Sequence, residues 1–148
     1  MLLSELHHES TCSSSSKVCT SRRSDRPARE RMQTVEMLQE RQLCRWDHAS
    51  LRSKFPASGG VLNLVVLQEV QKYNELTSEI ETTLAHLRLA LEGQMSISKE
   101  LEEALDSLES RCVPCRWLAR AYPSRDSLAP WLEDLHRRLA FIEDWVKR

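Results

Sequence analysis

Residues 65–91 read VVLQEVQKYNELTSEIETTLAHLRLAL, and their spacing decides the fold class. Val66, Val70, Tyr73, Thr77, Ile80, Leu84, Leu87 and Leu91 recur at steps of four and three. On a helix of 3.6 residues per turn that spacing keeps one apolar stripe facing one way. Gln68, Glu69, Gln71, Lys72, Glu75, Glu79 and Glu81 fill the other faces. The spacing predicts a helix over 61–91, about 46 Å long at about 1.5 Å per residue. Gly93 sits where a helix C-terminus favours left-handed backbone.

Two further stripes follow. Leu101, Leu105, Leu108 and Cys112 mark a second helix, with Ser96 or Ser98 as its cap and Glu100, Glu102 and Glu103 near its positive end. It must stop near Val113, because Pro114 disfavours α geometry in the residue before it. Residues 114–124 read as a loop with a short helical turn. Leu128, Leu132, Leu135, Leu139, Ile142 and Val146 mark a third helix, capped by Ser124 or Ser127, whose first turn tolerates Pro130. Trp131 and Trp145 widen its apolar face. Nothing alternates with period two for long enough to make a strand. The expected fold is all-α: a long helical hairpin plus a third helix over 61–148.

Residues 1–60 differ in composition. They carry a net charge of +3 against −4 for residues 61–148, within an overall −1. The first 26 residues hold eight serines and few large apolar groups, too little to offset chain entropy, so a disordered tail is expected there. Met32, Val35, Leu38 and Leu43 predict an isolated helix over 28–47, and Pro56, Gly59 and Gly60 punctuate a linker.

The near-balanced charge offers no electrostatic case for nucleic acid or an anionic membrane. The longest apolar run, Val61 to Leu67, is interrupted by Asn63 and far short of the roughly 20 residues that span a bilayer. With glycines only at 59, 60 and 93, neither a Walker A loop nor a dinucleotide fingerprint can be written. His8-Glu9 begins like a zinc-protease motif, but position 12 is Cys, and no GxSxG exists. Cys112 and Cys115 form a CxxC at a predicted helix C-terminus, the wrong end of the dipole for a reactive thiol. The five cysteines read as reduced thiols, and this pair as packing residues. No catalytic residue, cofactor or metal is expected.

From Val65 onward the sequence resembles the start of the C-terminal region of dynein heavy chains, beyond the last lid of their AAA+ ring. The resemblance is carried by Val66-Leu67-Gln68-Glu69-Val70-Gln71-Lys72-Tyr73-Asn74, then by 84–93, Met95-Ser96 and Glu100-Leu101-Glu102. Val113-Pro114, Trp117, Ala121-Tyr122-Pro123-Ser124, Leu128, Trp131, Asp134-Leu135, Arg138-Leu139, Phe141 and Trp145 continue it in order. It looks more axonemal than cytoplasmic. It does not extend to residues 1–60, which suggests an alternative start or a partial gene product. In that family the region continues past a tryptophan like Trp145 into a β-rich part.

The resemblance implies a structural or regulatory part of a microtubule-based motor complex, by inheritance including dynein light intermediate chain binding, with no motor site of its own. It implies cytoskeletal placement, in the cytoplasm or a ciliary axoneme, and other dynein subunits or the AAA+ ring as partners. The residues it singles out for structure or interaction are Leu67, Gln68, Glu69, Tyr73, Asn74, Pro114, Trp117, Tyr122, Pro123, Trp131, Leu135, Leu139 and Trp145. The alternative is a free-standing helical module that pairs with a partner coiled coil. A unit of this size buries only roughly 60% of its unfolded surface, so an apolar patch is expected to stay exposed, with self-association or a partner to cover it.

Overall fold

The computed structural model describes residues 27–41 and 43–148, and the serine-rich segment expected to be disordered lies outside them. Among the described residues every regular element is helical: α1 (Ala28–Gln39), α2 (His48–Lys54), a 3-10 turn (Ala57–Gly59), α3 (Val61–Leu91), α4 (Lys99–Glu109), α5 (Cys115–Arg120) and α6 (Leu128–Lys147). The all-α expectation holds, and α3 has the bounds read from the sequence.

The ends of the long hairpin follow from local chemistry. Gly93 takes φ 78°, and its N–H donates to the Ala90 carbonyl at 3.1 Å while the Gln94 N–H donates to Leu89 at 2.9 Å. These two bonds satisfy carbonyls that the helix end would otherwise orphan. Ser98, of the two candidate caps, begins α4 by accepting the Leu101 N–H at 3.3 Å. The same pair of closing bonds recurs at the end of α4, from Arg111 to Leu108 at 3.1 Å and from Cys112 to Ser107 at 2.8 Å. Here the left-handed residue is Arg111, with φ 58°. Its carbonyl then accepts the Leu128 N–H at 2.9 Å. Ser127 precedes α6 without a side-chain cap, so a main-chain carbonyl from beyond the end of α4 does that work.

The core lies along α3. Leu67, Val70, Tyr73, Leu76, Thr77, Ile80, Thr83, Leu84 and Leu87 are buried, a stripe wider than the single four-three seam. Leu101, Leu105 and Leu108 of α4, Trp117 of α5, and Leu128, Trp131, Leu132, Leu135, Leu139 and Ile142 of α6 close on it. Trp117 is fully buried and stacks on Trp131 with centroids 6.1 Å apart and planes at 23°. Its indole N–H donates to Thr83 Oγ1 at 3.3 Å, and that hydroxyl donates to the Glu79 carbonyl at 2.8 Å. A buried indole needs such an acceptor.

The short helical turn expected within 114–124 is α5, opened by Pro114 and held because Trp117 and Leu118 have an apolar surface to pack on. Three expectations are corrected. Helix α4 ends at Glu109 rather than near Val113, because Arg111 takes left-handed backbone before Pro114 is reached. The predicted helix over 28–47 ends at Gln39 and is not isolated. Val35 is fully buried and Leu51 of α2 is buried, both in the same cluster as α3, so a second short helix stands where a linker was expected. Arg31 Nε lies 2.8 Å from Glu109 Oε1, an ion pair that ties α1 to α4. Finally, Cys112 and Cys115 each take part in a disulfide rather than standing as reduced thiols, and Cys44 is the free thiol among the described residues.

Left-handed backbone costs an L-residue about 1 kcal/mol that glycine does not incur. Arg111→Gly is therefore expected to stabilise the fold by about 1 kcal/mol, read as a higher urea midpoint at unchanged slope.

Candidate interaction surface

The residues singled out from sequence fall into three groups. Leu67, Pro114, Trp117, Trp131, Leu135 and Leu139 are core. Their side chains pack inside the helical unit. Tyr73 is also buried, in contact with Tyr122 and Arg138. Gln68, Glu69, Asn74, Tyr122, Pro123 and Trp145 are exposed or half-buried; Glu69 and Trp145 lie between α3 and α6, whereas Asn74 faces Trp46.

Asn74 acts as a clamp. Its side-chain oxygen accepts the Trp46 N–H at 3.1 Å and its amide donates to the Trp46 carbonyl at 2.7 Å. One side chain thus satisfies both backbone groups of a residue that has no helix to do so. Neighbouring contacts extend the strap. Arg45 pairs with Glu81 at 3.2 Å, and Lys54 donates to the Val146 carbonyl. The Cys44 thiol donates to Glu143 Oε2 at 3.6 Å. Burial and the Glu143 carboxylate push that thiol up, so it is held protonated and is a poor nucleophile.

Around Tyr122 a second constellation forms. Its ring meets Tyr73 edge-on, with centroids 6.3 Å apart at 60°. Lys72 Nζ stands 3.6 Å above the ring, and the Arg138 guanidinium lies 5.7 Å from it. The hydroxyl donates to Glu69 Oε1. Arg138 also pairs with Asp134 at 2.8 Å and donates to the Tyr73 hydroxyl at 3.4 Å. Hydrogen bonding to Glu69, helped by burial, pushes the Tyr122 phenol up to about 12. Arg116 and Arg120 of α5 both reach Glu79, at 3.1 and 3.3 Å, and fasten α5 to α3.

Beside the Tyr122 cluster, residues of α3 and α6 line a groove of about 520 Å³. Leu62, Val65, Val66, Phe141, Ile142 and Trp145 give it apolar walls. Leu62 is 66% exposed, Val65 45% and Phe141 71%. The resemblance pointed to Trp145 as a site residue but not to these neighbours. The signal for them was in the sequence: Val61, Leu62, Leu64 and Val65 cover more of a helix than one buried stripe can use. Among the described residues no three His, Cys, Asp or Glu side chains converge to hold a metal. None of the helices described is long and apolar enough to cross a membrane.

Comparison with known proteins gives a consistent picture. A family model for the C-terminal domain of the dynein heavy chain matches residues 2–148, well beyond the 61–148 span to which the sequence resemblance was confined. The protein is 42% identical over 86 positions, 58% of its length, to dynein axonemal heavy chain 1 of Rattus norvegicus. It is 37% identical over 87 positions, 59% of its length, to dynein axonemal heavy chain 3 of Homo sapiens. A third relative, the ciliary dynein beta chain of Heliocidaris crassispina, is 38% identical over 83 positions, 56% of the length. The matched segment spans 2% of the length of each of these relatives.

Two outcomes test this surface. Asn74→Ala strands both backbone groups of Trp46, so it is expected to cost about 1–3 kcal/mol and to speed amide exchange at Trp46 while α3 stays protected. For Tyr122 the folded phenol is raised above its ordinary value, so its contribution to stability is complete below about pH 10 and lost as pH rises towards 12. Ultraviolet titration is expected to place the phenolate signal that Tyr122→Phe removes near 12, and Glu69→Gln to bring it back towards 10.

Proposed function

Because this protein belongs to the family of dynein heavy-chain domains from the C-terminal end, we propose that it serves as a structural or regulatory piece of a microtubule-based motor complex and performs no motor chemistry itself. The family match over residues 2–148 carries this reading, supported by the axonemal and ciliary relatives. Its placement is cytoskeletal, at the ciliary axoneme. Its partners are other dynein subunits, light intermediate chains included, or the surface of the AAA+ ring.

The absence of motor chemistry has physical support in the sequence. Phosphoryl transfer depends on backbone amides and a lysine that cradle the phosphates, and a glycine-poor sequence with glycines only at 59, 60 and 93 cannot build the phosphate-binding loop. Cys44, the free thiol among the described residues, is held protonated against Glu143. What the protein does have is a stiff frame. Helix α3, about 46 Å long, packs against α5, α6 and the α1–α2 strap in one apolar cluster. Such a frame transmits position rather than reacts.

Affinity capture of the endogenous protein from ciliated cells is expected to bring axonemal dynein heavy chains and their associated subunits with it. The purified protein is expected to hydrolyse ATP no faster than buffer. Capture without any dynein subunit, or measurable turnover by the protein, overturns the reading.

A further inference from the structure

We propose that the groove between the first three turns of α3 and the last turns of α6 docks an acidic amphipathic helix from another protein. The inference rests on the groove itself, whether or not the protein joins a motor complex.

Leu62, Val65 and Phe141 present much of their apolar surface to water on this one face, with Trp145 and Ile142 beneath. Contiguous exposure of this kind marks an interaction site, because covering it releases the hydration cost of each side chain. Along α3 the groove runs from Leu62 to Tyr73, about 17 Å at about 1.5 Å per residue. That length takes about three helical turns, enough for anchors at i, i+4 and i+7.

Charge selects the occupant. Three charged residues line the groove: Glu69, Arg137 and Arg138. The Glu69 carboxylate takes the Tyr122 hydroxyl, and Arg138 is paired with Asp134. Arg137 makes no ion pair among the described residues, and it stands one turn before Phe141 on the same face of α6. A guanidinium beside an apolar wall favours a carboxylate that flanks an apolar anchor, held by a two-pronged contact. A second copy of this protein fits less well. Under two-fold symmetry the same face meets itself, and its one lining carboxylate is already engaged, so Arg137 would find no acid opposite. The complementary face therefore comes from a different helix, apolar along one stripe and acidic at its margin.

The probe is a pair of helical peptides, each about four turns long, that share leucines at i, i+4 and i+7 and differ in flanks of Glu or Lys. Binding to the full-length protein is read by fluorescence polarisation. The Glu-flanked peptide is expected to bind at least tenfold more tightly. Arg137→Glu is expected to abolish or invert that preference, and Phe141→Ser to weaken both peptides at unchanged helicity. Equal binding of the two peptides, binding of neither, or a dimer in sedimentation that Phe141→Ser dissociates overturns the proposal.

Discussion

A fully buried tryptophan on a six-residue helix is the constraint around which the rest of the fold is arranged. Helix α5 is too short to be stable alone. It exists because Trp117 is driven under α3 and against Trp131, and because its indole N–H finds Thr83 there. Thr83 in turn donates its proton to the Glu79 carbonyl, so no polar atom in this run of contacts is left unpaired. The Glu79 side chain then gathers Arg116 and Arg120, one turn apart on the same face of that helix. One turn of α3 thus holds α5 from within and at its edge. With α5 in place, the backbone turns back and lays α6 along the hairpin.

The strap formed by α1 and α2 is held by a different kind of interaction. Val35 and Leu51 supply its apolar anchors, but its path between the two helices is set by polar contacts. Asn74 takes both backbone groups of Trp46, Arg45 reaches Glu81, and the strap also touches α6 at Glu143 and Val146. These bonds cross long sequence separations. A composition shift at residue 60 carries no trace of them, which is why the segment looked like a separate piece.

Legibility followed periodicity. α3, α4 and α6 were readable because each repeats an apolar stripe over three or more turns, and Gly93 lies where the α3 stripe ends. The end of α4 was not, because left-handed Arg111 closes it before Pro114 is reached. α5 was legible only as a short turn and α2 not at all, since six or seven residues are too few for a period to show. Of the surface residues singled out, Trp145 and Tyr122 were visible through resemblance, whereas Leu62 and Val65 were not, and Phe141 carried the resemblance without being marked as a site. An apolar residue on a helix reads as core until a neighbour is known to be missing. The family of axonemal and ciliary relatives was legible over 61–148, but the match reaches residue 2.

The amino-acid sequence by itself determined the helical class, the length of α3 and the position of its stop at Gly93, because these depend on residues within a few turns of one another. Only the tertiary structure decided that the N-terminal strap shares the core, that Glu69 and Lys72 converge on Tyr122 with Arg138, and that a groove stays open between α3 and α6. Each of those joins residues dozens of positions apart, and their meeting depends on how the rods cross rather than on any local pattern.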